Sequence, residues 1–226
     1  GRVSSGAVAE RRRAILRKLP HGQRQRQGEV TEMQEGHTAV DLPRAERAMR
    51  EFLSAVGVDL AAQGMEDTPA RAAALYAELF AGLHTDAADL WADVMTEETD
   101  GSIAVRRIPF HSICEHHLLP FFGTAHIVYC PHEGRVAGFG VFTRLVESMA
   151  RRPQLQERLT EEIAREIERG LDAEGVLVVL DACQLCMTMR GARAYGTRTT
   201  TSACRGIFRD DKTMALQAWQ MLGNHI

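Results

Sequence analysis

The sequence has few of the features that mark membrane, secreted or nucleic-acid-binding proteins. No apolar run is long enough to span a bilayer, and the first residues lack the apolar stretch of a signal peptide. The chain has only two lysines, Lys18 and Lys212, and its net charge of -3 is close to neutral. These properties predict a cytoplasmic protein with neither a membrane partner nor a nucleic-acid partner.

Cysteine is also scarce, with five residues in 226. An odd number in a chain of this length favours free thiols or metal ligands over a disulfide framework. Residues 1–38 are rich in Arg, Gln, Gly and Ser. We expect them to form a flexible N-terminal arm with at most a short helix at 14–19, and the arginines there to be solvated.

The remainder, 39–226, is predicted to be one domain of the α+β class. Helical apolar spacing begins near Asp41 and again at 66–69, so residues 39–95 are expected to be helical. Strands are expected at 103–110, 123–130, 175–189 and 197–208, with one long helix or two at 142–171, broken around Pro153. This order predicts a core at 96–226 in which helices cover an antiparallel sheet.

A metal-ligand pattern stands out in the segment 114–117. Cys114 and His117 lie three residues apart between a predicted strand and Pro120, so that a turn can aim both at one point. A third soft ligand from 183–186 would complete a set that selects zinc and leaves a position open for water, whose pKa zinc lowers. Strand alternation places Gln184 and Cys186 on one face and Cys183 on the other, which favours Cys186.

The neighbouring His116 is a candidate acid-base group. Its ordinary titration range suits proton transfer near neutral pH, and it would lie close to a metal bound by His117. Cys130 and Cys204 lack nearby ligand partners and are predicted to pack in the core.

With these residues in view, the chain resembles the GTP cyclohydrolase I family from about Asp41 onward. Four separated blocks carry the resemblance: 66–71, 114–117, 151–160 and 186–191. It implies the tunnelling fold (T-fold), with helices on one face of the sheet. It also implies a toroidal β-barrel homo-oligomer, a decamer, with active sites at subunit interfaces.

The resemblance also implies roles for individual residues. Zinc would be held by Cys114, His117 and Cys186, and His116 would be the acid-base histidine. Glu157 would accept hydrogen bonds from guanine N–H groups, assisted by the backbone near Gln156, because a carboxylate suits that donor pair. Arg71, Arg144 and Arg190 match positions that bind the phosphates. The implied reaction attacks C8 of GTP, opens the imidazole ring, releases formate and closes a new ring to give dihydroneopterin triphosphate.

The chain departs from the family pattern at two places. Gln184 stands where the family has a second histidine, and glutamine cannot exchange a proton near neutral pH. Gly140 and Val141 replace a Ser-Lys pair that contacts phosphate or ribose. These departures favour a zinc-dependent hydrolase that opens the ring of GTP or a related guanine nucleotide and stops at a formamidopyrimidine or diaminopyrimidine.

Other readings remain open. An ordinary GTP cyclohydrolase I could use Arg193, Arg198 or Arg205 for the missing phosphate contacts. A catalytically silent paralogue could bind a nucleotide or regulate a true cyclohydrolase, although scaffolding needs neither His116 nor Glu157. A nitrile-reducing relative on the same fold would use a nucleophilic cysteine without this zinc triad.

Overall fold

The computed structural model describes residues 40–99 and 101–223. The predicted arm at 1–38, including the helix at 14–19, lies outside them. The described part begins with helices α1 (Leu42–Ala55) and α2 (Thr68–Leu79), followed by two 3₁₀ turns at Ala81–His84 and Ala87–Trp91. Asp41 caps α1 by accepting a hydrogen bond from the Arg44 backbone N–H at 2.9 Å, and Pro43 occupies its first turn.

A five-stranded sheet forms the centre of the molecule. Its strands are β2 (Ile103–Cys114), β3 (Pro120–Cys130), β5 (Pro153–Gln154), β6 (Gly175–Gln184) and β7 (Thr199–Gly206), in the order β5-β2-β3-β6-β7. The pairings are antiparallel except that between β2 and β5, which is parallel. Strands β1 (Met95–Thr96) and β4 (Arg135–Val136) form a separate two-stranded ribbon.

Two helices cover one face of the sheet. They are α3 (Phe139–Ala150) and α4 (Gln156–Leu171), separated by the short strand that contains Pro153. Alternate residues of β6 such as Val178 and Leu180 pack there with Leu145 and Ile163 in the main core.

The expectation that helices lie on one face only is wrong. After a helical turn α5 (Leu185–Thr188), β7 leads into α6 (Ile207–Asp210) and α7 (Lys212–Leu222). Phe208 and Leu222 pack with Leu177 and Val179, which point to the opposite face of β6. The strands near Gly175 are apolar on both faces, and the C-terminal helices bury the second one.

Several predicted boundaries also change. β2 continues to Cys114 and β3 begins at Pro120, because the two strands stay paired up to the turn. β6 ends at Gln184 rather than 189, since a helical turn begins at Leu185. No helix within the described ranges is long and apolar enough to cross a membrane.

Candidate functional site

The turn between β2 and β3 carries the first two predicted ligands. It is closed by hydrogen bonds from the Cys114 N–H to the Leu119 carbonyl and from the Leu118 N–H to the Cys114 carbonyl, each 2.9 Å. Leu118 has φ of 53°, a left-handed conformation that a branched residue rarely adopts. This tight turn presents His117 on the same side as Cys114, which the sheet buries to 5% exposure.

The third predicted ligand comes from the helical turn that follows β6. Candidate ligand atoms of Cys114, His117 and Cys186 all lie within 4.8 Å of one another. Cys186 lies in the helical turn α5 and not in a strand. The alternation argument therefore chose this cysteine by assuming a strand that the structure does not have there. Cys183 lies on β6 opposite Phe122, one residue before Gln184, and its side chain points to the other face of the sheet.

The three donors fit a zinc ion by their chemistry. Two sulfur atoms and one imidazole nitrogen form a soft set that suits zinc and suits magnesium or calcium poorly. Burial, followed by the neighbouring Cys114, raises the pKa of the Cys186 thiol. A cation between the sulfur atoms would reverse this effect, because it stabilises the thiolate.

Arg190 also reaches this cluster. Its Nη1 donates to His117 Nε2 at 2.6 Å, since a guanidinium has no acceptor. The sequence prediction had assigned Arg190 to phosphate. In the described geometry its positive charge instead lies beside the ligand cluster, where it would face an anion held near the metal.

A cleft of about 180 Å³ opens beside the ligands. His116 lines it together with Cys114 and Cys186, so the predicted acid-base group is at the predicted metal position. The His116 and His117 ring centroids are 6.1 Å apart, with the rings nearly perpendicular. We call the group of predicted ligands Cys114, His117 and Cys186, of which the two cysteines line the cleft, the metal wall.

A second group of residues that line the cleft, Gln156, Glu157 and Gln184, is here called the amide wall. Gln184 Nε2 donates to Gln156 Oε1 at 2.6 Å, and Gln156 Nε2 donates to the carbonyls of Leu180 at 3.2 Å and Thr199 at 2.8 Å. Gln156 is only 3% exposed. Its amide is therefore committed to the protein, and only its backbone remains for the predicted assistance to Glu157.

Glu157 offers the cleft a carboxylate in the first turn of α4. Its neighbour Arg158 does not pair with it. Arg158 instead binds Glu115 through two hydrogen bonds, from Nη1 at 2.6 Å and from Nη2 at 3.1 Å. This fork lowers the pKa of Glu115 and raises that of Arg158. Among the described residues Glu157 has no ion-pair partner.

The remaining predicted phosphate residues lie elsewhere on this chain. Arg71 is on the exposed side of α2, near Asp67 and hydrogen-bonded to Thr68 Oγ1 at 3.1 Å. Arg144 lies on α3, exposed. Neither residue lines the cleft. Val141, which replaces the family lysine, is 6% exposed and packs in the main core.

Two of the arginines proposed as substitutes already have partners. Arg198 binds Asp181, with Nε to Oδ2 at 2.6 Å, and Arg205 binds Glu168, with Nε to Oε2 at 2.6 Å. Arg193 has φ of 48° and lies in the exposed loop after α5. Of the three, Arg193 has no carboxylate partner within the described part of the chain.

Sequence reasoning missed several groups that shape the cleft. Thr199, Leu155 and Met187 line it, and Thr199 also anchors Gln156. Leu155 and Met187 fall within the blocks 151–160 and 186–191, which could have indicated them, whereas no local pattern marks Thr199, whose contact with Gln156 joins segments 43 residues apart.

The family model and the related sequences agree on one family. A family model described as GTP cyclohydrolase I matches residues 45–223. The GTP cyclohydrolase 1 of Lysinibacillus sphaericus (strain C3-41) is 47% identical over 173 residues, which cover 76% of this chain and 92% of that protein. The GTP cyclohydrolase 1 of Thermoanaerobacter pseudethanolicus (strain ATCC 33223 / 39E) is 45% identical over 185 residues, covering 82% and 98%. Among solved structures, the archaeosine synthase QueF-Like in the apo form aligns with a TM-score of 0.41 at 16% identity, covering 48% of this chain and 97% of that chain.

Proposed function

Because this chain belongs to the GTP cyclohydrolase I family, we propose that it is a zinc-dependent hydrolase that opens the imidazole ring of a guanine nucleotide at C8. The observation that carries the proposal is the meeting of three soft ligand atoms within 4.8 Å at the edge of a cleft that also holds His116 and Glu157. Cys114, His117 and Cys186 would hold the zinc ion. The ion would lower the pKa of a water molecule and so supply the nucleophile.

The chain's own residues would orient the substrate and move protons. Glu157 accepts hydrogen bonds from the guanine N–H groups, and the free backbone N–H groups at the start of α4 lie beside it. His116 donates and accepts protons at the reacting purine, since an imidazole can serve as both donor and acceptor. Arg190 provides positive charge next to the metal wall.

We further propose that the reaction stops before a pterin forms. Addition of one water at C8 and cleavage of a ring C–N bond gives a formamidopyrimidine, and a second water releases formate and leaves a diaminopyrimidine. The later rearrangement and reclosure need further proton transfers. Gln184 lines the cleft where the family has a second histidine. Its amide is hydrogen-bonded to Gln156 and cannot exchange a proton near neutral pH.

A second candidate is an ordinary GTP cyclohydrolase I that makes dihydroneopterin triphosphate. Relatives that carry this name are 45–48% identical to the chain over most of its length, and this favours a shared product. In that case His116 would carry the later proton transfers as well. The phosphates would then rely on Arg190, Arg193 or groups from another subunit.

We also propose that the domain at 39–226 assembles as a T-fold toroid, a decamer, with sites at subunit interfaces. A cleft of 180 Å³ is smaller than the roughly 300 Å³ at which ligand pockets usually start, so a second subunit would complete it. Helix α1 buries none of its residues within the chain, and Phe52 is 59% exposed. Such an apolar helix surface is typical of a subunit contact.

The test is to incubate zinc-loaded protein with GTP, GDP, GMP and guanosine and to identify the products by mass and absorbance. We expect a product with one added water, or the same product without its formyl unit, and no pterin chromophore. Complete conversion of GTP to dihydroneopterin triphosphate at the rate of a related cyclohydrolase would support the second candidate instead. No change in any substrate would overturn both.

A further inference from the structure

The paired side chains of Arg158 and Glu115 connect the turn after β2 with the start of α4. Glu115 belongs to the turn that holds the metal wall, next to Cys114. Arg158 follows Glu157 in the first turn of α4. The guanidinium binds both carboxylate oxygens, at 2.6 and 3.1 Å, which fixes the direction of approach as well as the distance.

The backbone alone joins these segments only briefly. Strand β5 pairs with β2 at two positions, and the Glu115 N–H donates to the Gln154 carbonyl at 3.0 Å. Beyond Gln154 the chain turns into α4, and Glu115 leads into the metal-ligand turn. The ion pair joins the two segments where they diverge. Glu115 is adjacent to the predicted zinc ligand Cys114, and Arg158 is adjacent to Glu157, the residue predicted to bind guanine.

Helix stability does not explain an arginine at this position. A positive charge in the first turn of a helix opposes the helix dipole, and the Glu115 carboxylate offsets it. The two side chains are 44% and 32% exposed, and ion pairs at such exposure add little to folding stability. The geometry of the pair, rather than its strength, is therefore its distinctive property.

We propose that the Arg158–Glu115 pair is a positioning device that sets the distance between the metal wall and Glu157. If Glu157 holds the guanine ring, this distance decides how close C8 comes to the nucleophile. The inference rests on the proposed function. Neither residue touches the reacting atoms in it, so both act through their neighbours Cys114 and Glu157.

The test is a double-mutant cycle of Arg158→Met, Glu115→Gln and the double variant, with Arg158→Lys as the conservative change. We expect kcat to fall about 100-fold in Arg158→Met, because small misplacements at a reacting centre cost that much. KM for the guanine nucleotide should stay within about threefold, since Glu157 remains. Arg158→Lys keeps the charge but loses the fork, and should be intermediate. The double variant should be no slower than the slower single variant, because the pair acts as one unit.

Zinc content, melting temperature and nucleotide affinity of the zinc-free protein separate positioning from a structural role, and all three should match wild type. Arg169→Met is the matched control, because Arg169 pairs with Glu166 on the same helix, away from the cleft. A rate loss that follows lost zinc or lowered melting temperature would overturn the inference, as would additive single effects. If the wild type converts guanine nucleotide and Arg158→Met has the same kcat, the inference is overturned while the proposed function stands. A wild type that converts no guanine nucleotide overturns the proposed function, and the inference falls with it.

Discussion

The metal wall and the amide wall both contribute residues to one cleft but differ in how their side chains are used. On the metal wall, Cys114 and Cys186 contact each other and carry no carboxylate partner within the described residues, and burial raises the pKa of the Cys186 thiol. On the amide wall, Gln184 and Gln156 are hydrogen-bonded to each other. The donors of the first wall suit a cation, whereas the amide groups of the second are hydrogen-bonded within the protein.

In the proposed reaction, this difference separates the binding of the metal and the guanine ring from the transfer of protons. The Gln156 amide is buried and donates to the carbonyls of Leu180 and Thr199, so breaking these hydrogen bonds would leave partners unsatisfied at a cost of about 1–3 kcal/mol. The amide wall is therefore rigid, and Glu157 is its ionisable group. In the proposed reaction proton transfer falls to His116, which lines the same cleft together with Cys114 and Cys186.

The largest effect is expected from removing a donor of the metal wall. Cys186→Ser replaces a soft sulfur by a hard, weakly acidic oxygen, so zinc should be lost. Because a catalytic metal supplies several kcal/mol, turnover of guanine nucleotide should fall at least about 1,000-fold. Metal analysis and product assays on the purified variant measure both.

Cys183→Ser is the matched control for that variant. Cys183 is three residues earlier, at the end of β6, and points to the opposite face of the sheet. It should keep both zinc and turnover. Zinc retained at the wild-type level in Cys186→Ser would contradict the assignment of the metal wall, and zinc lost from Cys183→Ser would reverse the choice between the two cysteines.

A smaller effect is expected on the amide wall from Glu157→Gln. The amide presents donors to guanine N–H groups that need an acceptor, and a hydrogen bond to a charged group contributes about 1.5–3 kcal/mol. We therefore expect kcat/KM to fall about 10- to 100-fold with full zinc content. Glu161→Gln, one turn further along α4, should leave kcat/KM unchanged. Equal losses in the two variants would show that Glu157 acts only through the helix charge.

The parts of this structure that local sequence determines were predictable. Asp41 and Pro43 mark the start of α1 through capping and a preset φ, and Pro153 ends α3 because it cannot continue a helix. The spacing of Cys114 and His117 likewise brought them together within one turn. Each of these features depends on contacts across a few residues, which the sequence displays directly.

The rest depends on contacts between distant segments. The ladder between β2 and β3 carries both strands up to the turn, further than their composition indicated. Helix α7 covers the second face of the sheet although its own pattern does not say which surface it meets. The pairs Gln184 with Gln156 and Arg158 with Glu115 join residues 28 and 43 positions apart. No spacing rule reaches that far, and only the folded sheet brings these residues together.

The smallest effect on substrate consumption, and the sharpest on product, is expected from Gln184→His. One ring nitrogen of the histidine can donate to Gln156 Oε1 as the Gln184 amide does, which sets the tautomer and leaves the other nitrogen toward the cleft. Consumption of GTP should stay within about threefold of wild type, because the metal wall and Glu157 are unchanged and only later proton transfers, worth about 10²- to 10⁴-fold, are added. The measurement is the ratio of pterin to open-ring pyrimidine by absorbance and mass. Gln184→Asn, which cannot titrate, is the control and should make no pterin. A product ratio in Gln184→His equal to that of the wild type would remove Gln184 from the control of product, and the two walls would then differ in structure but not in the chemistry they allow.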